Sequence, residues 1–464
     1  MPEAEKRTGD IGLLVVHGIG AQEPRETLRK LLKGLRRVDQ DSVPKEICDG
    51  AAATVGGQRV RCYEVYWADV LKGCVAEGAF QMKELQSFAW FPWFNLRRGN
   101  YSPGSYSSLR LAGWCVALPI INFLAWFSYH GAGLLETIFD PLIKSLWPGA
   151  EGAGRSAAFT RVHRTLDEYP GDVFTYVNSA GNAFYWEKGA PPCASKRERA
   201  YADIVQRFYA QLVKAHADGC TTIQIVAHSL GAVVTYHALS GFRFDPNHRA
   251  KAEIQQAVAK VSRIYTIGCP LEKIRFFWPR LIPSGACFGT MKVQWDNFAS
   301  WFDPLAGMLR NFDQWGKVSN RRLLGGGFIL AHVVYERSPV FLGALSRGLC
   351  GHDIPVERGL GERLRNWLLL LGETLLAPAL LAVVVILGVF VLAAVAMLIP
   401  FGVSLVLRWF LPPETWGPIE DAMSLGMIGA ICLAAFAAPL LRAKKVHSRY
   451  WGPTASGGDA AQGA

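Results

Sequence analysis

The sequence predicts an α/β fold, with a mostly parallel sheet and flanking helices, from three observations. Short apolar stretches rich in β-branched residues recur along the first 350 residues. Helical patterns separate many of these stretches, which leaves room for the crossovers that parallel pairing requires. Two of the predicted strands run directly into glycine-containing turns, HGIG at 17–20 and SLG at 229–231.

Each predicted element follows from a local pattern. IGLLVV is a continuous apolar run that predicts the first strand, and VRCYEVYW alternates as a second strand would. The stretch TTIQIVAHSLGAVVTYHAL begins as a strand and ends as a helix, with Ser229 at the join. The predicted strands are 11–16, 60–67, 223–227, 261–268, 291–295 and 328–335, the last being either the final strand or its exit. The other predicted helices are 27–38 and 196–217.

Ser229 has the surroundings of a nucleophile on a sharp strand-to-helix turn. Such a turn needs tiny residues two positions before and after the serine, and Ala227 and Gly231 meet that need, giving A-x-S-x-G. The N–H of Leu230 would lie at a helix N-terminus, where it can bind an oxyanion. The adjacent His228 is predicted to be structural, because it points away from the serine on such a turn. His237 is predicted to be a packed or surface histidine.

The turn HGIG after the first strand can supply a second oxyanion donor. Its glycines, including Gly18, let the backbone approach closely, so that the N–H of Ile19, or that of Gly18, could face a reacting carbonyl. We predict that His17 shapes this loop and does not transfer protons.

Together, VVHGIG and AHSLG resemble the α/β-hydrolase superfamily, and at both motifs the chain is similar to small bacterial lipases. The resemblance covers roughly residues 10–350. It implies Ser229 as nucleophile, with Ile19 and Leu230 as oxyanion amides, and a chain order of serine, acid, histidine. The chain departs from the lipase pattern in a long insertion before Ser229 and in an apolar C-terminal region.

The resemblance implies an acid and a histidine downstream of the serine. Asp303 in WDNFASWFDPL is the favoured acid and Asp296 is the alternative, while the other interpretation of Asp303 is an Asx-turn residue. His332 in AHVVYERSP is the favoured base. His352 in GLCGHDIP is its competitor, and Asp353 beside it is a further candidate acid.

Composition narrows the class of function. The chain has 464 residues and a formal net charge of +11, but its basic residues are scattered or flank apolar segments, so nucleic-acid binding is not predicted. The ten cysteines form no C-x-x-C pair and no zinc spacing, which favours a reduced catalytic domain without a metal. No P-loop or dinucleotide fingerprint is present, so no cofactor is expected.

Apolar stretches predict membrane association. The stretch 374–407 carries no charged residue and exceeds the roughly 20 residues that span a bilayer. A second predicted span is 422–441, followed by basic residues, and an acidic linker separates the two, which places both chain ends in the cytoplasm. The stretches 111–129 and 134–147 could form a membrane hairpin, lie in the interface, or form a buried core helix.

We therefore expect five regions. These are the first part of the hydrolase domain (1–110), an apolar membrane-associated insertion (111–150), the rest of the hydrolase domain (151–365), a transmembrane region (366–445) and a disordered tail (446–464).

The expected function is a serine esterase or lipase in the cell membrane, with its catalytic domain facing the cytoplasm. Its expected substrate is a hydrophobic, lipid-like acyl ester that reaches the site from the bilayer. A thioesterase or peptidase using the same triad is one alternative. A catalytically silent hydrolase fold that serves as a membrane scaffold is another.

Overall fold

The computed structural model describes most of the predicted α/β region and small parts of the remainder. The described residues are 9–19, 22–37, 39, 48–75, 87–101, 111–115, 118–119, 172–173, 175–177, 179–180, 196–240, 252–282, 293–300, 303, 305–310, 312, 318–323, 332 and 335–352, with scattered positions within 364–371 and 422–447. The chain divides into two compact units. The first comprises Met1–Phe80 and Asp167–Thr374, and the second comprises Gln81–Leu166 and Leu375–Ala464. The boundaries predicted from the sequence, at 110, 150 and 365, do not coincide with this division.

A seven-stranded sheet forms the centre of the first unit. In sheet order the strands are β2 (Ala51–Val55), β3 (Gln58–Val65), β1 (Ile11–Val16), β4 (Thr222–His228), β5 (Val261–Ile267), β6 (Gln294–Ser300) and β7 (Val318–Leu323). Only β2 and β3 pair antiparallel, through a tight turn, and every other pair in this sheet is parallel. The fold is therefore α/β, as the sequence predicts.

Helices flank the sheet in the first unit, and the one that follows Ser229 is buried along its whole length. The described helices of the first unit are α1 (Glu26–Leu35), α2 (Ala68–Val75), α4 (Lys196–Ala217), α5 (Leu230–Ser240), α6 (Ala252–Ala259), α7 (Leu271–Phe277) and α8 (Pro339–Cys350). Short 3₁₀ turns occur at Pro279–Leu281 and Tyr335–Arg337. The second unit contains α3 (Phe91–Arg97).

The core lies between the sheet and its helices. Leu13 and Val15 of β1 join a buried cluster with leucines of α1 and α8, for example Leu31 and Leu345. Side chains alternate along a strand, so Leu14 points to the opposite face, and it too is fully buried. The helix α4 packs against α2, α5 and α6. Burial of β1 on both faces explains why its sequence is apolar throughout.

Three predicted strands need correction at their boundaries or in their type. The second predicted strand, 60–67, is β3, which begins and ends two residues earlier. The segment predicted at 291–295 becomes β6, which begins at Gln294. For 328–335, the strand alternative is wrong where the structure describes it, because His332 and Tyr335 lie in 3₁₀ turns, and the other alternative, an exit from the last strand, does not conflict with them. The last described strand is β7, which the sequence analysis did not identify.

The predicted membrane segments are barely covered by the described residues. Within the described part of the chain, no helix combines the length and apolarity that a bilayer crossing requires. The stretches 134–147 and 374–407 lie outside the described residues, and 111–129 and 422–441 are described at only a few positions.

In the second unit, α3 packs against His447 through one of its faces. Phe91 and Asn95 are buried on one face of this helix, where the amide oxygen of Asn95 lies 3.0 Å from Nε2 of His447. The rings of Phe91 and His447 meet edge to face. Trp93 and Leu96 lie on the exposed face, each about 45% accessible. The helix α3 is therefore amphipathic, with an apolar side chain pair that faces outward.

Candidate active site

Ser229 occupies a strained turn between β4 and α5. Its φ angle is +50°, in the left-handed region, and it is one of two non-glycine residues with positive φ among those described. Its N–H donates to the carbonyl of Ile267 on the neighbouring strand at 2.9 Å, and its own carbonyl accepts from Ala232. These bonds hold the serine at the carboxyl end of the parallel strands, where ligands bind in open α/β sheets.

The small residues around Ser229 are required by close backbone approach. A Cβ at Gly231 would lie 2.7 Å from the carbonyl oxygen of Val16 and would also strike that of His17. A Cβ at Gly18 would lie 2.9 Å from the Cβ of Ser229. The two glycine motifs that are distant in sequence therefore contact each other, and glycine permits that contact at both positions.

Ser229, His332 and Asp303 form a continuous hydrogen-bonded chain. Nε2 of His332 lies 2.7 Å from Oγ of Ser229, and Nδ1 lies 2.8 Å from Oδ2 of Asp303. Asp303 can only accept when ionised, so Nδ1–H donates to it and Nε2 is left to accept the serine proton. All three residues are buried. The structure thus brings together the three residues that the sequence favoured.

The carboxylate of Asp303 is held by four donors. The backbone N–H groups of Leu305 and Ala306 donate to Oδ1, and the hydroxyl of Tyr335 donates to Oδ2 at 2.7 Å. Burial opposes ionisation of this carboxyl, but the hydrogen bonds and the proximity of His332 outweigh it and lower the pKa of Asp303 to about 2. Asp303 therefore remains ionised through the neutral pH range. It also makes the Asx-type contact that the sequence offered as the other interpretation, so both roles coexist.

Asp303→Asn is expected to remove a pH-dependent part of the stability. The pKa of Asp303 is about 2 in the folded protein against an ordinary value of 3.8. The ionised carboxylate therefore adds about 2 kcal/mol to the free energy of unfolding above about pH 4. This contribution is lost as the pH falls toward about 2. Urea unfolding of wild type and variant should show a stability difference that shrinks between about pH 5 and pH 2. A difference that stays constant over this range contradicts the assignment.

His17 fixes the geometry of the HGIG turn. Its Nδ1–H donates to the carbonyl of Gly18 at 2.6 Å, and its Nε2 accepts from the N–H of Trp67 at 2.9 Å, while the two rings stack. Burial lowers the pKa of His17 to about 4, so the ring is neutral near pH 7. In a trans peptide the carbonyl of Gly18 and the N–H of Ile19 point in opposite directions, so His17 also sets the direction of that N–H.

Leu230 contributes the second predicted oxyanion amide. It is the first residue of α5, and its N–H therefore belongs to the helix N-terminus beside Ser229. Ile19 and Leu230 flank the contact between Gly18 and Ser229. A shared anion site formed by the two amides remains a prediction.

The alternative residues lie elsewhere. Asp296 is buried on β6, where it faces Arg263 at 3.5 Å and Arg321 at 3.6 Å. His352 is exposed and lies close to the backbone of Cys350, and Asp353 lies outside the described residues. Neither Asp296 nor His352 contacts the hydrogen-bonded chain at Ser229, which disfavours both as triad members.

Two further histidines behave as packing residues. His237 is buried between the hydroxyl of Tyr176, at 2.9 Å, and the carbonyl of Leu281, at 2.8 Å. His228 donates through Nε2–H to the carbonyl of His332 at 2.8 Å. Neither imidazole lies between Ser229 and Asp303, and the sequence gave no hint that His228 reaches the segment of His332.

Sequence reasoning missed two residues of this site, Tyr335 and Glu336. The hydroxyl of Tyr335 bridges the two sides of the loop, because it accepts from the N–H of Ser300 and donates to Asp303. Glu336 is buried beside His228. Tyr335 is the last residue of the segment that the sequence suggested as a strand or its exit, and Glu336 follows it; no local motif marks either as part of the site.

The imidazole of His332 lies against Gly268. This residue follows β5 with a φ of +64°, and a Cβ there would lie 3.1 Å from Cε1 of His332. Glycine supplies the left-handed conformation and the space that the ring occupies.

No group of three or more potential metal-ligating side chains occurs within the described part of the chain. Comparison with family models, with curated protein sequences and with solved structures gives no match.

Proposed function

We propose that the protein is a serine hydrolase of the α/β-hydrolase type that cleaves carboxylic esters through an acyl-enzyme. The observation that carries the proposal is the chain of short hydrogen bonds from Ser229 through His332 to Asp303. Such a chain links a nucleophile to a base and the base to an orienting acid. The strained conformation of Ser229 adds support, because such strain concentrates at functional positions.

In the first half-reaction, Oγ of Ser229 attacks the ester carbonyl carbon while Nε2 of His332 takes the hydroxyl proton. The ester π electrons move onto the carbonyl oxygen, which becomes an oxyanion. The N–H groups of Ile19 and Leu230 stabilise this charge, each by roughly 3 kcal/mol. Asp303 holds the imidazolium in place. His332 then returns the proton to the leaving alcohol as the C–O bond breaks.

In the second half-reaction, water replaces the alcohol. His332 takes a proton from the water, whose oxygen attacks the acyl carbon, and collapse of the second oxyanion expels Ser229. His332 gives the proton back to Oγ, so the enzyme returns to its starting state and the acid product is released. These steps use only side chains and backbone amides of this chain.

A fluorophosphonate probe tests the proposal directly. The serine oxygen displaces fluoride from phosphorus, which happens at a useful rate only when a base activates the hydroxyl. We expect the wild-type protein to be labelled and the label to map to Ser229. A catalytically silent scaffold would remain unlabelled, and a thioesterase or peptidase would label but prefer a thioester or amide over a matched ester.

We further propose that the enzyme acts at a membrane. The charge-free stretch 374–407 supports this, as do the exposed Trp93 and Leu96 beside Arg97 in α3. Tryptophan and arginine are typical of the membrane–water interface. An enzyme held there would meet hydrophobic acyl esters at high local concentration. The substrate class therefore follows from the proposed location and not from a pocket.

Thiol labelling tests the predicted topology. In intact cells, a membrane-impermeant maleimide is expected to label Thr415→Cys in the acidic linker but not Ser456→Cys in the tail. The reason is that basic flanking residues resist translocation and keep the tail in the cytoplasm. The parent protein measures the background from its ten native cysteines. Labelling of Ser456→Cys from outside would overturn the proposed orientation.

A further inference from the structure

A second buried acid–histidine pair lies behind the triad. Nδ1 of His228 is 3.3 Å from Oε1 of Glu336, and both residues are about 5% exposed or little more. His228 ends β4 immediately before the nucleophile, and Glu336 lies four residues after His332. The mechanism above uses neither side chain. A buried carboxyl and imidazole are costly to retain without a role, because each loses its hydration.

The hydrogen bond of His228 to the backbone shows which of its ring nitrogens carries a proton. The carbonyl of His332 can only accept, so Nε2 of His228 must carry the proton of their 2.8 Å hydrogen bond. In a neutral ring Nδ1 then has no proton, and burial lowers the pKa of His228, which favours this neutral form. Nδ1 lies 3.3 Å from Oε1 of Glu336 but makes no hydrogen bond to the described residues, so the two side chains meet in a close buried contact. The two residues therefore form one buried polar unit.

This unit connects the nucleophile strand to the backbone of the base. His228 and Ser229 are consecutive, and they reach the carbonyl and the ring of His332 respectively. On the other side, Tyr335 joins the same loop to Asp303. The segment that carries His332 is thus hydrogen-bonded both to the strand before Ser229 and to Asp303. An error of about 1 Å in the position of a catalytic group can cost about 100-fold in rate.

We propose that His228 and Glu336 are positioning residues that set the main chain of His332, and hence the reach of its Nε2 to Ser229. This inference rests on the proposed serine-hydrolase function and deepens it. The ring centroids of His228 and His332 are 5.3 Å apart. A second positive charge at that distance would oppose the imidazolium that forms on His332 during the reaction. Burial lowers the pKa of His228, so its ring stays neutral and adds no such charge.

Two amide replacements of His228 separate positioning from bulk stability. The amide nitrogen of glutamine reaches the place of Nε2 in histidine, whereas that of asparagine reaches only the place of Nδ1. We expect His228→Gln to keep kcat for p-nitrophenyl butyrate within about fivefold, and His228→Asn to lose about 10- to 100-fold with KM changed by less than about threefold. Equal kcat values for the two variants would overturn the proposal, since a merely structural role does not depend on which position the amide reaches.

Replacement of Glu336 gives an independent measurement. Glu336→Gln keeps the length of the side chain and can offer an amide N–H to Nδ1 of His228, so it should retain most of kcat, while Glu336→Ala should lose about 10-fold or more. Glu64 is a matched control, because it is equally buried but caps α1 through the N–H of Leu28. Glu64→Ala should lower the melting temperature without lowering kcat by more than about twofold. If Glu336→Ala does not fold, the comparison of the two His228 variants decides the question.

The outcomes distinguish the two levels of the proposal. A wild-type protein that is neither labelled by fluorophosphonate at Ser229 nor active on esters overturns the proposed function and this inference together. An active, labelled wild type whose Glu336→Ala variant folds and keeps kcat overturns the inference alone. Loss of kcat in Glu336→Ala and His228→Asn, with recovery in Glu336→Gln and His228→Gln, supports it.

Discussion

Replacing Ser229 by alanine is expected to lower kcat for ester hydrolysis by at least about 1,000-fold, because loss of a triad nucleophile removes the covalent pathway entirely. Alanine keeps the Cβ of serine, so the strained φ of +50° is unchanged and the fold should persist. The measurement is the rate of p-nitrophenyl butyrate hydrolysis by purified protein, with circular dichroism to verify folding. Residual activity within about tenfold of wild type would contradict the assignment of Ser229.

Ser229→Gly is a matched control for strain. It removes the same hydroxyl, so it should be as inactive as Ser229→Ala. Glycine adopts the left-handed region without a Cβ penalty, so this variant should be more stable than the alanine variant by about 1 kcal/mol. Equal loss of activity with unequal stability would show that the effect of Ser229 on catalysis comes from its oxygen and not from the turn.

The parts of the site that could be predicted from the sequence depend on local sterics. Gly231 and Gly18 are needed because backbone atoms and Ser229 lie within contact distance of their absent side chains. Such constraints leave a short motif in the sequence. The buried strand β1 could also be predicted from the sequence, because burial of both faces requires a continuous apolar run.

The two edge strands of the described sheet, β2 and β7, could not be predicted because their sequences carry no clear strand pattern. β7 reads VSNRRL, and most of its residues are partly exposed, so no apolar alternation marks it. β2 reads AAATV, and alanine has little intrinsic preference for strands. Both form because a neighbouring strand offers hydrogen-bonding groups, which is a tertiary effect that local pattern does not record.

The acid and the base illustrate the limit for functional residues. The resemblance implied only their order, and Asp303 and His332 were favoured over Asp296 and His352 on weak local context. Nothing in the sequence indicated that Tyr335 reaches Asp303 from three residues beyond His332. That contact depends on a 3₁₀ turn in a segment whose apolar residues suggested a strand. Contacts between distant segments decide such details, and a single sequence does not contain them.

His332→Ala is expected to reduce kcat by at least about 1,000-fold, because Ser229 then lacks the base that activates it. His352→Ala is the matched control, since His352 is exposed and lies beside Cys350 and Gly56, away from Ser229, and it should keep kcat within about twofold. Stability must be measured in parallel. Removal of His332 leaves the buried carboxylate of Asp303 with one partner fewer, at a cost of about 1–3 kcal/mol. Full activity in His332→Ala, or its loss in His352→Ala, would mean that the histidine loop is misplaced.

The double variant Ser229→Ala/His332→Ala gives the decisive comparison. Residues that act as a unit are not additive, because a base without its nucleophile has nothing to activate and the reverse also holds. We expect the double variant to be no less active than the single Ser229→Ala variant, within about threefold. If His332 served only the fold, its loss would lower the remaining activity further through partial unfolding. Additive losses would therefore separate His332 from Ser229, and the 2.7 Å contact between them would have no part in catalysis.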